Sequence, residues 1–87
     1  MMRLTRTSRT SEEISFRVEG ALSGGSARIL ESELLPLLEN GMSIRLDCSQ
    51  VTYIDREGAL VLRRLRRRLQ IVRCRPLVLE MLDGIQQ

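Results

Sequence analysis

The sequence predicts a small α/β domain with a mixed four-stranded sheet and three helices. Segments in which every second residue is apolar alternate with segments whose apolar residues recur at three- and four-residue steps, in the order β-β-α-β-α-β-α. Strands separated by helices are joined by crossovers, which favours parallel pairing among the later strands. Because 87 residues suffice for one domain, we expect residues 1–87 to form a single unit, with an edge strand and polar loop in 1–12 and the core in 13–86.

The amino-terminal residues predict two strands joined by a polar hairpin loop. A weak alternation favours a short edge strand at about residues 2–7. Ile14, Phe16 and Val18 then alternate with polar residues, a period of two that is typical of a half-buried strand. We expect Gly20 to end this second strand.

The first helix is predicted to follow a Ser-Gly-Gly-Ser loop. Apolar residues between 27 and 38 recur at helical spacing and would give the helix one apolar face. Ser26 is the expected amino-terminal cap, and Asn40-Gly41 is a good stop signal. Pro36 lies inside this segment and cannot donate a backbone hydrogen bond, so we expect a kink or an early end there.

The second half of the chain alternates strand and helix. Residues 43–48 alternate between apolar and polar and predict the third strand, which we expect to be central. A helix is predicted over 58–67, followed by a short strand at 69–72. Pro76 suits a first helical position, and the apolar residues of 78–85 repeat at helical spacing, so they predict the last helix.

The composition argues against a metal site, a bound cofactor and catalysis. The chain has no His, and Cys48 and Cys74 lack metal-ligand spacing, so no metal or cofactor is predicted. Cys48 alternates with apolar neighbours and is expected to be a small core residue. Asp47, Asp55 and Glu57 could in principle share acid–base work, but no His or Lys accompanies them. We therefore expect that the protein is not an enzyme.

Basic residues are concentrated in one stretch. All fourteen basic residues are Arg, and seven of them lie between Arg63 and Arg75 without an acidic residue among them. Such a cluster could contact phosphates, although it is more often the solvated face of a helix, and the chain has only two aromatic residues for stacking on bases. We therefore do not expect a nucleic-acid partner, and a small Arg-rich nucleic-acid-binding domain is kept as an alternative. The candidate basic patch comprises Arg63, Arg64, Arg66, Arg67 and Arg68 on the outer side of the second helix.

Residues 46–60, L-D-C-S-Q-V-T-Y-I-D-R-E-G-A-L, carry a family resemblance. A strand that runs into an acidic turn and then at once into an amphipathic helix resembles the STAS domain of sulfate transporters and bacterial anti-sigma factor antagonists. The family pattern is L-D-hydrophobic-S-x-V-x-hydrophobic-hydrophobic-D-S-S-G. The chain matches this pattern at Leu46, Asp47, Ser49, Val51, Ile54, Asp55 and Gly58. The resemblance extends over about residues 13–85 and implies a STAS-like fold.

The resemblance implies protein binding. Antagonists of this family bind an anti-sigma factor, typically a kinase, which reverses the binding by phosphorylating the hydroxyl residue just before the Gly of D-S-S-G. That position is Glu57 in this chain, so the usual acceptor is missing. The implied partner-binding residues are Thr52, Asp55, Arg56, Glu57 and Gly58, with Asp55 as helix cap and Gly58 allowing close approach of a partner backbone.

Two interpretations of Glu57 stay open at this stage. A carboxylate in the first turn of a helix is favoured by the helix dipole, so Glu57 can be simply a stabilising charge on a domain without kinase control. Alternatively, it imitates a phosphorylated side chain permanently and selects a different partner. An accessory role in a transport or signalling complex is a further alternative.

The expected setting follows from the same resemblance and from hydropathy. No apolar run approaches the length that spans a membrane, and the amino terminus does not resemble a signal peptide, so we expect a cytoplasmic protein. The apolar helix faces could also support a homodimer.

Overall fold

Four strands and three helices follow one another in the predicted order. A computed structural model describes residues 2–84 of the chain, so Ile85 of the predicted last helix lies outside the described residues. The elements are β1 (Met2–Arg9), β2 (Glu13–Leu22), α1 (Gly24–Glu39), β3 (Ser43–Ile54), α2 (Arg56–Leu65), β4 (Gln70–Val72) and α3 (Pro76–Gly84).

The strands form one mixed sheet in the order β1-β2-β3-β4. β1 pairs antiparallel with β2, whereas β2 with β3 and β3 with β4 are parallel. The predicted mixed four-stranded sheet, with its hairpin at one edge, is therefore confirmed. Because β2 and β3 run parallel, their carboxyl ends lie at the same end of the sheet. α1 and α2 both begin at that end.

The core lies between one face of the sheet and the helices. It combines alternating residues of β2 and β3, Cys48 included, with one apolar stripe from each helix. The largest fully buried side chains are Leu22, Leu30, Leu34, Leu46, Leu62, Leu65 and Leu82. None of the helices described between residues 2 and 84 is long and apolar enough to cross a membrane.

The first helix begins earlier than its sequence signals suggest. Ser23 is the amino-terminal cap, and the two glycines of the predicted loop form the first turn of α1. The predicted cap, Ser26, is the third helical residue, where its hydroxyl accepts the Ser23 backbone N–H at 3.0 Å. Ser26 thus acts in the reciprocal position of a capping box, which is why a single-residue interpretation misplaced the start.

The predicted stop after α1 is confirmed, but the early end at Pro36 is wrong. Asn40 caps the helix and Gly41 follows with a φ of 87°, a conformation that favours glycine. The N–H groups of Gly41 and Met42 bond back to the carbonyls of Leu38 and Leu37. Pro36 is exposed, so water can satisfy the carbonyl one turn before it and the helix continues.

β3 and α2 differ from the predicted bounds. β3 continues to Ile54 because β2 offers a parallel partner as far as Leu22. Its pairing with β2 shifts register twice, and these irregularities break the alternation that would have revealed the whole strand in the sequence. α2 begins at Arg56 and ends at Leu65, so Arg66–Arg68 form a tight turn toward β4 rather than a helical face.

One ion pair joins the first two helices. Arg64 on α2 donates two hydrogen bonds to the Glu31 carboxylate on α1, from Nε at 3.0 Å and from Nη2 at 2.8 Å. The hydrogen bond from Arg64 lowers the pKa of Glu31 below its ordinary value, against a smaller opposing effect of burial. The two-point geometry makes this the best-formed ion pair among the described residues.

We expect Glu31→Gln to lower the free energy of unfolding by about 0.5–1 kcal/mol at neutral pH. Because the pKa of Glu31 is lowered by folding, its contribution is present at neutral pH and disappears as the pH falls through the folded-state pKa. Urea unfolding between pH 3 and 7 measures this difference. Glu33→Gln, an exposed carboxylate on the same helix, is the control, and a pH-independent loss in Glu31→Gln would contradict the assignment.

Candidate functional site

The junction between β3 and α2 is held by backbone hydrogen bonds and one side-chain cap. The Asp55 backbone N–H donates to the Leu22 carbonyl at 3.2 Å, which ties the junction to the end of β2. The Asp55 carboxylate accepts the Gly58 N–H at 2.8 Å. Asp55 is therefore the amino-terminal cap of α2, as predicted.

Contacts inside the domain leave room only for glycine at position 58. It is buried, and a Cβ there would overlap the Leu22 carbonyl oxygen and lie 2.9 Å from the carbonyl carbon. The prediction that Gly58 allows close approach of a partner backbone gives way to this internal reason. The close approach it allows is that of α2 to the end of β2.

Glu57 is the second residue of α2, at the helix beginning where the sequence placed it. Its carboxylate lies 3.5 Å from Nε of Arg28 on α1, and the exposed fractions of the two side chains are 43% and 71%. The negative charge of Glu57 therefore has an opposite charge beside it. Because exposed ion pairs contribute about 0–1 kcal/mol, this pair can open at little cost.

Thr52 and Tyr53 are exposed because the pairing of β3 with β2 is irregular there. Gly20 pairs with Val51 and Ala21 with Tyr53, so Thr52 is an extra residue in β3. Such a bulge interrupts the alternation of faces and redirects side chains. Thr52, one of the implied partner-binding residues, is exposed and lies within the strand. Tyr53 is 55% exposed.

We use the term junction surface for the side chains of Thr52, Tyr53, Asp55, Arg56 and Glu57. Arg56, the first helical residue, is exposed, while Asp55 and Glu57 are half-buried. The surface combines an exposed aromatic ring with two carboxylates and a guanidinium. Such a mixture suits protein recognition, since Tyr and Arg are enriched where protein partners bind.

The three acids of this region do not converge on one site. The Asp55 carboxylate is bound by the Gly58 amide, and Glu57 faces Arg28. Asp47 accepts the Ser49 N–H at 2.8 Å and lies 3.2 Å from Nη1 of Arg73. Partial burial raises the pKa of Asp47, but these hydrogen bonds and the Arg73 charge outweigh burial and hold the pKa below its ordinary value.

The predicted basic patch is divided by its own ion pairs. Arg64 is bound by Glu31, and Arg66 lies 3.5 Å from Asp83 on α3. Arg66, Arg67 and Arg68 belong to the turn after α2 rather than to its outer side. The patch therefore does not form the continuous helical stripe that the sequence suggested.

Comparison with known protein families decides the family. The family model described as "Mlab, STAS domain" matches residues 5–85, nearly the whole chain. The chain belongs to the STAS domain family. No curated protein matches this STAS domain at a significant level.

Two solved structures are similar to this STAS domain. The structure of the anti-sigma factor antagonist SpoIIAA in its unphosphorylated form aligns with a TM-score of 0.73 and 11% identity, covering 95% of this chain and 84% of that one. A crystal structure of Mglu aligns with a TM-score of 0.61 and 21% identity, over 75% of this chain and 18% of that one. At these identities the similarity shows the shared fold.

Sequence reasoning missed two residues at the junction. Tyr53 occupies an apolar position of the family pattern, and only the irregular strand pairing makes it exposed. Arg28 is 29 residues from Glu57 in sequence, so no local spacing could reveal their contact. The predicted parallel order of β2 and β3 was the available signal, since it brings the beginnings of the following helices to one edge.

We expect Gly58→Ala to destabilise the domain by at least about 3 kcal/mol, because the added methyl group overlaps backbone atoms that cannot move aside. Gly25→Ala is the matched control. No atom lies within 4 Å of a Cβ at that helical position, so the control should be neutral or stabilising by about 0.5 kcal/mol. Urea unfolding monitored by circular dichroism measures both, and equal stabilities would refute the proposed close approach.

Proposed function

We propose that this STAS domain is a non-catalytic regulatory module that binds a protein partner through the junction surface. The supporting observation is the exposed junction itself, where a redirected Tyr53 stands beside charged residues at the beginning of α2. The capped helix and its hydrogen bond to Leu22 hold the backbone that carries these side chains. A rigid surface loses little entropy on binding, which favours recognition without an induced change.

The class of partner we propose is an anti-sigma factor, acting in the cytoplasm. The fold is shared with SpoIIAA, which is described as an anti-sigma factor antagonist, and the motif resembles that of such antagonists. Non-catalytic action fits the separate use of the acids, because each carboxylate is held by a different local partner.

Glu57 leads us to propose that binding is not switched by phosphorylation at this position. A carboxylate has no hydroxyl to accept a phosphoryl group. It also carries one negative charge, whereas a phosphoserine carries about −1.5 to −2. Arg28 lies beside Glu57 and offsets that single charge. We therefore favour a surface that binds constitutively over one that fully imitates the phosphorylated state.

The binding surface is tested with a charge reversal and a truncation at the junction, and with a control charge reversal at the other end of the sheet. We expect Arg56→Glu and Tyr53→Ala to weaken binding to a cognate anti-sigma factor by about tenfold or more, because both side chains would contact the partner. Arg9→Glu is the matched control; it is also exposed but lies at the other end of β2, where Arg9 pairs with Ile14. Isothermal titration calorimetry with each anti-sigma factor encoded in the same genome gives the affinities.

The outcome of this titration separates the alternatives. Binding that resists both junction variants, or that Arg9→Glu weakens equally, would place the interface elsewhere. A transport component that binds in place of any anti-sigma factor and loses affinity in Arg56→Glu would assign the junction surface to the accessory role.

The absence of a phosphorylation switch is tested separately with Glu57→Ser. We expect the variant to accept phosphate from an anti-sigma factor kinase with ATP, and the wild-type chain to accept none at residue 57, because only the variant has a hydroxyl there. Intact-mass spectrometry with site localisation measures the transfer. A Glu57→Ser chain that stays unmodified and binds like the wild type would show that this position has no regulatory meaning.

A further inference from the structure

Cys48 and Cys74 are brought together by the pairing of β3 with the end of β4. Asp47 pairs with Val72 in the parallel ladder. Beyond Val72, two contacts continue this alignment on either side of the cysteines. Nη1 of Arg73 lies 3.2 Å from Asp47, and Nε of Arg75 donates to the Ser49 carbonyl at 2.9 Å.

The backbone turns at Arg73 so that Cys74 lies against the core. Arg73 has a φ of 56°, the only positive φ of a non-glycine residue among residues 2–84. This left-handed backbone conformation is rare for residues other than Gly, Asn and Asp, so it needs stabilising contacts with other parts of the chain. The ion pair with Asp47 supplies such support. Cys74 then packs against the buried core cluster, of which Cys48 is a member.

The separation of the two segments suits a disulfide bond. Val72, two residues before Cys74, is still paired with Asp47, the neighbour of Cys48, and disulfides join Cα atoms about 4.4–6.8 Å apart. The two thiols lie close enough for each to shift the pKa of the other, and Cys74 packs against the core cluster that contains Cys48.

The two thiols differ in access and in acidity. Cys48 is fully buried, whereas Cys74 is half-buried and lines an open cavity of about 750 Å³ beside Arg66. Interaction with the Cys48 thiol lowers the pKa of Cys74 against an opposing effect of burial, and the positive charge of Arg66 acts in the lowering direction. The same interaction, together with burial, raises the pKa of Cys48. Cys74 is therefore the more accessible and more acidic thiol, and Cys48 is the second thiol.

We propose that Cys48 and Cys74 form a reversible intramolecular disulfide when the domain meets a hydroperoxide. The Cys74 thiolate attacks the terminal peroxide oxygen, the O–O bond breaks, and Cys74 becomes a sulfenic acid while the leaving oxygen is protonated to an alcohol or water. The Cys48 thiol then loses its proton and attacks the Cys74 sulfur. The S–S bond forms, the S–O bond breaks, and the departing hydroxide takes the proton as water. A dithiol reverses the bond by exchange.

The bond would close a loop that contains the junction surface. Residues 48–74 include the end of β3, α2 and β4, so oxidation would restrict the opening of the segment that presents Tyr53 and Arg56. Crosslinking a loop stabilises a domain chiefly by restricting its unfolded chain. The oxidised domain should therefore resist unfolding more than the reduced domain does.

The test treats the reduced full chain with hydrogen peroxide under native conditions, then denatures it and labels the remaining thiols with N-ethylmaleimide. We expect the wild-type mass to fall by two hydrogens with no label taken up, a monomer on non-reducing electrophoresis, and two labels after dithiothreitol. The melting temperature of the oxidised form should rise by more than about 4 °C. Cys74→Ser, at a half-buried position, should show neither effect.

A second variant checks the order of the steps. Cys48→Ala should stop at a Cys74 sulfenic acid that dimedone traps. Two thiols that both still take up label after peroxide, Cys74 oxidised to sulfinic acid in the wild type with Cys48 free, or a bridge between two chains would each overturn the proposal. None of these measurements depends on partner binding, so a result that overturns the disulfide leaves the proposed function unaffected.

Discussion

The carbonyl group of Leu22 is the point on which the geometry of the junction depends. It accepts the Asp55 backbone N–H, and it occupies the space that a Cβ on Gly58 would need. Together these contacts fix the end of β2 to the first turn of α2. Because Asp55 also caps that turn, the positions of Arg56 and Glu57 follow from a backbone contact rather than from their own side-chain interactions. Backbone contacts inside the domain, rather than interactions among the exposed side chains, therefore fix the shape of the junction surface.

The irregular pairing at the end of β3 explains why the junction surface is exposed. A strand that alternated regularly up to its end would direct Tyr53 and Thr52 to opposite faces. The extra residue at Thr52 removes that alternation just before the junction, while Val51 and Ile54 on either side stay buried. The irregularity exposes an aromatic ring without opening the core. Bulges beside functional sites commonly act in this way.

Periodicity predicted the order of the elements and the mixed sheet, because the spacing of apolar residues reports directly which face is buried. It failed where local geometry departs from a regular period. The capping box moved the start of α1 away from Ser26, and the irregular pairing of β3 concealed six further residues of strand after Cys48. At the site, the cap at Asp55 could be predicted because it depends on neighbours in sequence. The contact between Arg28 and Glu57 could not be predicted, because it depends on two crossover connections that bring the beginnings of α1 and α2 to the same end of the sheet.

The charges at the junction nearly cancel, and this bears on how a partner is selected. Asp55 and Glu57 are negative, Arg28 and Arg56 are positive, and the Asp55 charge is directed at the helix amide. Long-range attraction requires a net charge and is screened by salt within about 10 Å. A doubly charged phosphoryl group at position 57 would have made the region anionic, whereas the carboxylate keeps it near neutrality. In the proposed binding, partner choice at this surface therefore depends on the short-range fit around Tyr53 and on the local arrangement of opposite charges.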